Sequence, residues 1–209
     1  MKVEEPIMTQ PRNWENDYRT STGTLPWDIG TPAPELIAVL PTLELPIKKV
    51  LEIGCGTGTN AIWLAQQGYD VTATELAPTA LDTAKKKAGD AKLTINFKLS
   101  NICEEVPVEK HSVSFVFDRG VFHVMSAETR STFVDHVARS LTPGGYWLSL
   151  TGSADETKAE GPPKLTAATI VNAVEPLFEI YKLERTSFDI PNVGRHLSWL
   201  SLFRVRVHS

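Results

Sequence analysis

A glycine-rich segment is the part of the sequence best suited to chemistry. Residues 52–58 read Glu-Ile-Gly-Cys-Gly-Thr-Gly, where a short apolar run gives way to an amphipathic one. Glycine lets the backbone turn tightly and lets a ligand approach the main chain, and a helix that begins there offers unpaired N–H groups. We therefore expect Gly54, Gly56 and Gly58 to form a binding loop between a strand and a helix.

Two carboxylates flank this loop. Glu52 precedes it, and Glu75 follows Gly54 by 21 residues, at the predicted end of the next strand. Open α/β sheets bind ligands at the carboxyl edge of their strands, where an acidic residue can accept hydrogen bonds from ribose hydroxyl groups. The pattern therefore predicts a nucleoside site. The alternative is a glycine-rich turn beside two surface acids, which the order of strand, loop, helix, strand and acid disfavours.

The spacing of the glycines argues against a dinucleotide. The fingerprint of dinucleotide binding is G-x-G-x-x-G, whereas this loop is G-x-G-x-G and has Thr59 where the third glycine would stand. Such a loop suits a pyrophosphate poorly, but it can pack against an amino acid joined to a nucleoside. A nicotinamide-dependent oxidoreductase is therefore the weaker hypothesis.

Residues 50–68 and Glu75 resemble motif I and the ribose-binding acid of class I S-adenosylmethionine-dependent methyltransferases. The resemblance implies S-adenosyl-L-methionine as the cofactor and S-adenosyl-L-homocysteine as its product. It also implies an α/β, Rossmann-like fold, with a seven-stranded, mostly parallel sheet, helices on both faces and an antiparallel last strand. It implies Gly54, Gly56 and Gly58 as backbone contacts of the cofactor and Glu75 as the residue that binds the ribose. Together with neighbouring residues and two aromatic candidates of the arm, the predicted cofactor site comprises Tyr18, Trp27, Glu52, Gly54, Cys55, Gly56, Gly58, Glu75, Leu76, Asn101, Ile102 and Asp118.

Two of these positions need comment. Asn101 stands after the predicted third strand, where the family usually has an acidic residue near the adenine amino group. An amide can still accept a hydrogen bond from that amino group through its carbonyl oxygen. Cys55 lies inside the loop, and we interpret it as a small space-filling residue rather than a nucleophile.

Further motifs resemble the thiopurine and small-thiol methyltransferases. They are residues 118–120 (Asp-Arg-Gly), residues 161–163 (Gly-Pro-Pro) and the N-terminal pattern of Trp14, Tyr18 and residues 26–30. This resemblance implies a small-molecule acceptor that carries a thiol or another soft nucleophile.

Arg119 and His123 are the candidate catalytic residues. Arg119 could pair with the cofactor carboxylate, orient an anionic acceptor or stabilise a thiolate, or it could simply form an ion pair with a neighbouring acid. His123 could act as a base for an oxygen or nitrogen acceptor, since imidazole titrates near neutral pH, or it could be structural. An O- or N-methyltransferase and a non-catalytic module that binds the cofactor therefore remain alternatives to a thiol methyltransferase.

The pattern of elements predicts how these residues are positioned. Five strands alternate with helices, and a strand pair closes the chain. The strands are predicted at residues 49–53, 70–75, 95–99, 112–117, 146–150, 178–189 and 197–207. Alternation indicates right-handed crossovers and a parallel sheet, whereas the short connection of the last two strands requires an antiparallel pair. We expect residues 1–45 to form an arm with short helices over the site and residues 46–209 to form the methyltransferase domain.

Composition excludes several classes of protein. The apolar fraction of 42% is that of a folded chain, and a net charge of −4 lacks the basic surplus of a nucleic-acid binder. Two cysteines are too few for a disulfide framework, and no cluster has the spacing of a metal site. Without a membrane-spanning run or a visible signal peptide, we expect a cytoplasmic monomer or weak homodimer that binds no membrane and no metal.

Overall fold

A computed structural model describes residues 12–23, 25–159, 161–190 and 194–207. The predicted arm therefore lies partly outside the described residues. The helices are α1 (Trp14–Thr20), α2 (Pro34–Val39), α3 (Thr59–Gln66), α4 (Pro78–Asp90), α5 (Ala127–Ser140) and α6 (Ala167–Val174). The strands are β1 (Lys49–Ile53), β2 (Asp70–Glu75), β3 (Asn96–Leu99), β4 (Val113–Arg119), β5 (Leu141–Ser153), β6 (Lys164–Leu165), β7 (Phe178–Ile190) and β8 (Gly194–Val205). Short 3₁₀ turns span Leu40–Thr42 and Phe122–Val124.

The strands form one mixed sheet in the order β3-β2-β1-β4-β5-β8-β7. Strands β1 to β5 pair in parallel, and β8 runs antiparallel to both β5 and β7. The predicted α/β class, the parallel sheet and the antiparallel final strand are thus confirmed. The two-residue strand β6 adds a short parallel pairing to the end of β5.

Helices cover both faces of the sheet. On one face, Leu36 of α2, Leu64 of α3 and Leu81 of α4 pack against apolar side chains of the central strands. On the other, Phe133 of α5 and Ile170 of α6 pack in a second apolar layer. Strand β4 is buried at six of its seven positions, because it lies in the middle of the sheet with a layer on each side.

Some strand boundaries differ from those predicted. Strand β5 begins earlier than residue 146 and includes residues 143–145, where the pairing with β4 is irregular and Gly144 has a φ of +72°. Helix α6 begins at Ala167, because the Thr166 hydroxyl caps it. The last two strands extend to Ile190 and Gly194, so their connection is shorter than predicted.

Candidate active site

A cavity of about 400 Å³ opens at the carboxyl edge of the parallel strands. Its walls come from the ends of β1, β2 and β4, from the N-terminal arm, from residues 161–163 and from the far end of β7. This is the edge at which an open α/β sheet binds ligands. The topology therefore brings together segments that are far apart in sequence.

The three loop glycines have different neighbours. Gly54 lines the cavity with a φ of +68°, and a Cβ at this position would overlap Val121 Cγ2. A Cβ on Gly56 would lie 2.8 Å from the Tyr18 hydroxyl. A Cβ on Gly58 would instead lie 2.8 Å from the Cβ of Ala84 on α4. The absence of a side chain on Gly54 and Gly56 thus lets Val121 and Tyr18 approach the loop, whereas Gly58 lets two helices approach.

The side chain of Cys55 is buried within the loop. Its backbone N–H donates to the Thr74 carbonyl at 2.8 Å, which ties the loop to β2. Burial raises the pKa of the Cys55 thiol, and the negative charge of Glu52 raises it further. A buried, protonated thiol is a poor nucleophile, so the geometry agrees with a space-filling role.

The carboxylate of Glu75 stands at the floor of the cavity. Its Oε1 accepts hydrogen bonds from the backbone N–H groups of Leu76 (2.7 Å) and Ala77 (3.0 Å). Its Oε2 accepts one from the N–H of Gly56 at 2.8 Å. A carboxylate oxygen can accept two hydrogen bonds, so Oε2 retains acceptor capacity toward the cavity.

Glu52 lies deeper than the sequence suggested. It is 2% exposed; its Oε1 accepts from Asn60 Nδ2 at 3.2 Å, and its Oε2 has no hydrogen-bond partner among the described residues. Burial, reinforced by the charge of Glu75, raises its pKa to about 8. Glu52 is therefore largely protonated at neutral pH and supports the loop from beneath.

The residues predicted at the adenine end line the cavity. Leu76, Asn101 and Ile102 all contribute to its wall. The Asn101 amide is already engaged, since its Oδ1 accepts from the Cys103 N–H at 3.0 Å and its Nδ2 donates to Glu104 at 2.8 Å. Its carbonyl keeps a second lone pair with which a ligand amino group could be bound.

The expectation that Asp118 contacts the cofactor requires correction. Asp118 is fully buried, and its Oδ1 accepts from the N–H groups of Val121 (3.2 Å) and Phe122 (3.0 Å). Its Oδ2 accepts from Trp147 Nε1 at 2.9 Å. The carboxylate is thus enclosed by protein donors and shapes the turn that carries Arg119. Sequence position alone could not reveal that a strand-end acid points inward.

Arg119 lines the cavity and is held from two sides. One guanidinium nitrogen donates to the Trp27 carbonyl at 3.1 Å, and the group lies 4.8 Å from the centre of the Phe188 ring. Burial lowers its pKa, but a guanidinium keeps its charge in proteins. A fixed, half-desolvated positive charge therefore faces the site.

His123 also lines the cavity, but its ring is committed to the fold. Its Nδ1 accepts from the Gly152 N–H at 2.9 Å, which places the proton of the neutral ring on Nε2. Burial, together with the charge of Arg119, lowers the pKa of His123 to about 3. A base must become charged to take up a proton, and this environment opposes that charge. The geometry therefore favours the structural alternative for His123.

Aromatic side chains of the arm close one side of the cavity. Trp27 Nε1 donates to the Tyr18 hydroxyl at 2.9 Å, and the rings of Trp14 and Trp27 meet edge to face at 5.5 Å. The guanidinium of Arg12 lies over both indole rings, at 4.7 and 4.4 Å. Arg12 and Phe188 are lining residues that sequence reasoning missed, because nothing in their local sequence indicates which distant segment they contact.

The described ranges contain no group of three histidine, cysteine or acidic side chains arranged to hold a metal. They also contain no helix long and apolar enough to cross a membrane.

Comparison with known proteins identifies relatives. The chain is 29% identical over 141 residues to a 2-heptyl-1-hydroxyquinolin-4(1H)-one methyltransferase of Mycobacteroides abscessus, covering 67% of this chain and 60% of the relative. It is 29% identical over 153 residues to probable thiol methyltransferase 2 of Arabidopsis thaliana, covering 72% and 65%. The matches thus span less than two thirds of these relatives.

Structural and family comparisons cover more of the chain. A solved structure described as "Conversion of a Disulfide Bond into a Thioacetal Group during Echinomycin Biosynthesis" superposes with a TM-score of 0.81 at 26% identity, over 93% of this chain and 92% of that one. The family model for thiopurine S-methyltransferase (TPMT) matches residues 9–207. This chain therefore belongs to the thiopurine S-methyltransferase family.

Proposed function

We propose that this protein transfers a methyl group from S-adenosylmethionine to a small molecule that carries a thiol or another soft nucleophile. The observation that carries the proposal is the cavity at the sheet edge. There, Glu75 Oε2 accepts a hydrogen bond from the Gly56 N–H of the glycine loop and keeps acceptor capacity for a ligand. Family membership over residues 9–207 supports the same activity.

The cavity divides into two parts in this proposal. Glu75 binds the ribose of the cofactor, and Gly54 packs against its methionine part. Leu76, Asn101 and Ile102 surround the adenine. The second part lies under the arm, between Arg119 and the apolar wall of residues 161–163 and Phe188. The acceptor occupies this second part.

The reaction requires little acid–base chemistry from the protein. When bound, the cofactor supplies an electrophilic methyl group on a sulfonium. The walls contribute by holding the acceptor atom ~3–3.5 Å from that carbon and in line with the departing sulfur. Trp14, Tyr18 and Trp27 exclude water and present aromatic faces, which suit a positive charge.

The acceptor reaches the site as an anion. In the described part of the cavity wall, the titratable side chains are Glu75, whose carboxylate holds backbone N–H groups; Tyr18, whose pKa burial raises; neutral His123; and the two arginines. None of them is placed to remove a proton at neutral pH. Arg119 stabilises the anion and orients it.

An acidic oxygen acceptor is the second candidate. One relative is named for methylation of a 1-hydroxyquinolinone, and an N-hydroxyl group of this kind, in its ionised form, is the oxygen acceptor that we propose. The same walls and the same Arg119 would serve such an acceptor. An ordinary alcohol or amine would need the base that His123 is poorly placed to provide.

A panel of acceptors tests the proposal. Purified protein is incubated with S-adenosylmethionine and with heteroaryl thiols, aliphatic thiols, N-hydroxy heterocycles, alcohols and amines, and S-adenosylhomocysteine is quantified. We expect turnover only with acceptors that ionise below about pH 8, since the residues placed at the cavity supply no base. Turnover of alcohols or amines alone, or of no acceptor despite cofactor binding, would contradict the thiol proposal.

We also propose that the protein works in the cytoplasm as a monomer or weak homodimer, without nucleic-acid or membrane partners. The net charge of −4 supports the first exclusion. Free Cys55 and Cys103 are compatible with a reducing compartment. Light scattering during chromatography measures the oligomeric state.

A further inference from the structure

The N-terminal helix α1 contacts the start of α4 through one carboxylate. Glu15 Oε2 accepts a hydrogen bond from the Thr79 backbone N–H at 3.0 Å, and its Oε1 accepts one from the Thr79 hydroxyl at 2.6 Å. The N-cap residue of α4 is Ala77, whose methyl side chain cannot accept a hydrogen bond. Glu15 therefore caps this helix from a segment 64 residues away.

The start of α4 also holds Glu75, the residue proposed to bind the ribose. The N–H groups of Leu76 and Ala77 donate to Glu75, Pro78 has no N–H, and the next N–H, from Thr79, donates to Glu15. The positive end of the helix dipole favours both negative charges. The arm and the cofactor site are thus anchored on one turn of backbone.

Helix α1 carries side chains that close the cavity. Trp14 precedes Glu15, and Tyr18 lies about one turn further along, so both aromatic rings that line the cavity are carried by the helix that Glu15 ties to α4. A second link lies further along the arm, where the Thr57 hydroxyl donates to Asp28 Oδ2 at 2.7 Å. Glu15 is therefore the carboxylate that fixes the first part of the arm.

We propose that Glu15 is a positioning residue that couples closure of the arm to retention of the cofactor. It acts through α4 and the Glu75 turn. While Glu15 caps α4, α1 covers the cofactor; when this cap breaks, α1 lifts and the cofactor leaves. The hydrogen bonds from Thr79 also lower the pKa of Glu15, so the cap persists across the neutral range. The inference rests on the proposed placement of the ribose at Glu75.

The test measures release of S-adenosylhomocysteine by stopped-flow tryptophan fluorescence in four proteins: wild type, Glu15→Ala, Thr79→Val and the double variant. We expect Glu15→Ala to release the ligand roughly three- to ten-fold faster, as for loss of a helix cap, and Thr79→Val to show a smaller increase because its N–H remains. The double variant should release it no faster than Glu15→Ala, because the two residues form one interaction.

Two readouts separate positioning from general destabilisation. Single-turnover rates at saturating cofactor should stay unchanged while KM for S-adenosylmethionine rises, and trypsin should cleave Glu15→Ala faster after Arg19. Asp90→Ala is the matched control, because it removes an exposed carboxylate from the other end of α4 and should leave release unchanged.

The outcomes distinguish this inference from the proposed function. If wild-type protein does not bind S-adenosylhomocysteine, the proposed function fails. If it binds and Glu15→Ala releases the ligand at the wild-type rate, the cofactor assignment stands and the role of Glu15 is wrong. Equal acceleration by Asp90→Ala would likewise overturn it, since any weakening of α4 would then suffice.

Discussion

The carboxylates of Glu52 and Glu75 illustrate how hydrogen bonding distinguishes two side chains that are buried to a similar extent. Both sit near the glycine loop and both are less than a tenth exposed. Glu75 receives three backbone N–H groups, and its Oε2 keeps acceptor capacity toward the cavity. Glu52 receives one amide N–H, and burial raises its pKa to about 8. Glu75 is therefore the carboxylate that we propose for ribose binding, and Glu52 is a neutral structural support.

Glu75→Gln should weaken binding of S-adenosylhomocysteine by about ten- to hundred-fold, the range for losing hydrogen bonds to a charged acceptor. The amide also cannot accept all three N–H groups while presenting an oxygen to the ribose. Isothermal titration calorimetry measures the affinity. Asp82→Asn, an exposed change on α4, serves as the control, and equal affinities for Glu75→Gln and wild type would show that the ribose lies elsewhere.

Glu52→Gln should raise stability more at alkaline than at acidic pH. The pKa of Glu52 is raised from 4.5 to about 8 in the folded state, so its favourable contribution is present below pH 4.5 and is lost as the pH rises toward 8. Glutamine mimics the protonated form and removes that loss. We expect a larger increase in Tm at pH 8.5 than at pH 5.5; an equal change at both values would mean that Glu52 titrates normally.

The glycine loop and α4 depend on each other sterically. Gly58 has a φ of +84° and lies at the start of α3, against Ala84 of α4. The first glycine of the loop serves the cavity, and the last serves the packing of two helices. The loop sequence therefore encodes both binding and architecture.

Gly58→Ala should destabilise the protein by about 1–3 kcal/mol, because alanine is strained at positive φ and its methyl group would overlap Ala84. Gly89→Ala, an exposed helical position on α4 with open space around it, should instead stabilise by about 0.5–1 kcal/mol. Denaturant unfolding measures both. If Gly58→Ala costs as much stability in an Ala84→Gly background as in the wild type, steric overlap is not its cause.

The arm, the sheet edge and the end of β7 line a single cavity. Arg119 exemplifies this, since it bonds to Trp27 of the arm and lies over Phe188 of β7. Ala33, at the start of α2, is fixed in turn by a hydrogen bond of 2.9 Å from its N–H to Asn60. Binding in the cavity should therefore stabilise the whole molecule, not one loop.

S-adenosylhomocysteine should raise the Tm, and above Kd the increase should grow with the logarithm of the ligand concentration. At a hundred times Kd, the ligand should add about 2.7 kcal/mol to the free energy of unfolding. NAD at the same concentration should leave the Tm unchanged, because the loop lacks the third glycine of a pyrophosphate cradle. Thermal unfolding scans with S-adenosylhomocysteine and with NAD provide the comparison. A shift with NAD alone would favour the oxidoreductase hypothesis.

Local sequence patterns determined much of the fold of this protein and the position of its glycine loop. The periodicity of its strands and helices, the glycines of residues 54–58 and the acid at Glu75 are features of contiguous segments, so the sequence alone predicted the α/β sheet, its antiparallel end and the position of the loop. These inferences succeed because hydrophobic periodicity and turn chemistry act over a few residues.

Only the tertiary structure decided which side chains face the cavity. Asp118 turned out to bond Trp147, His123 to bond Gly152, and Glu15 to cap α4, each across 29 or more residues of chain. Burial and long-range hydrogen bonds depend on how distant segments pack, and no local pattern specifies them. The chemistry of a carboxylate or an imidazole at this site follows from that packing, because neighbours and desolvation set its charge.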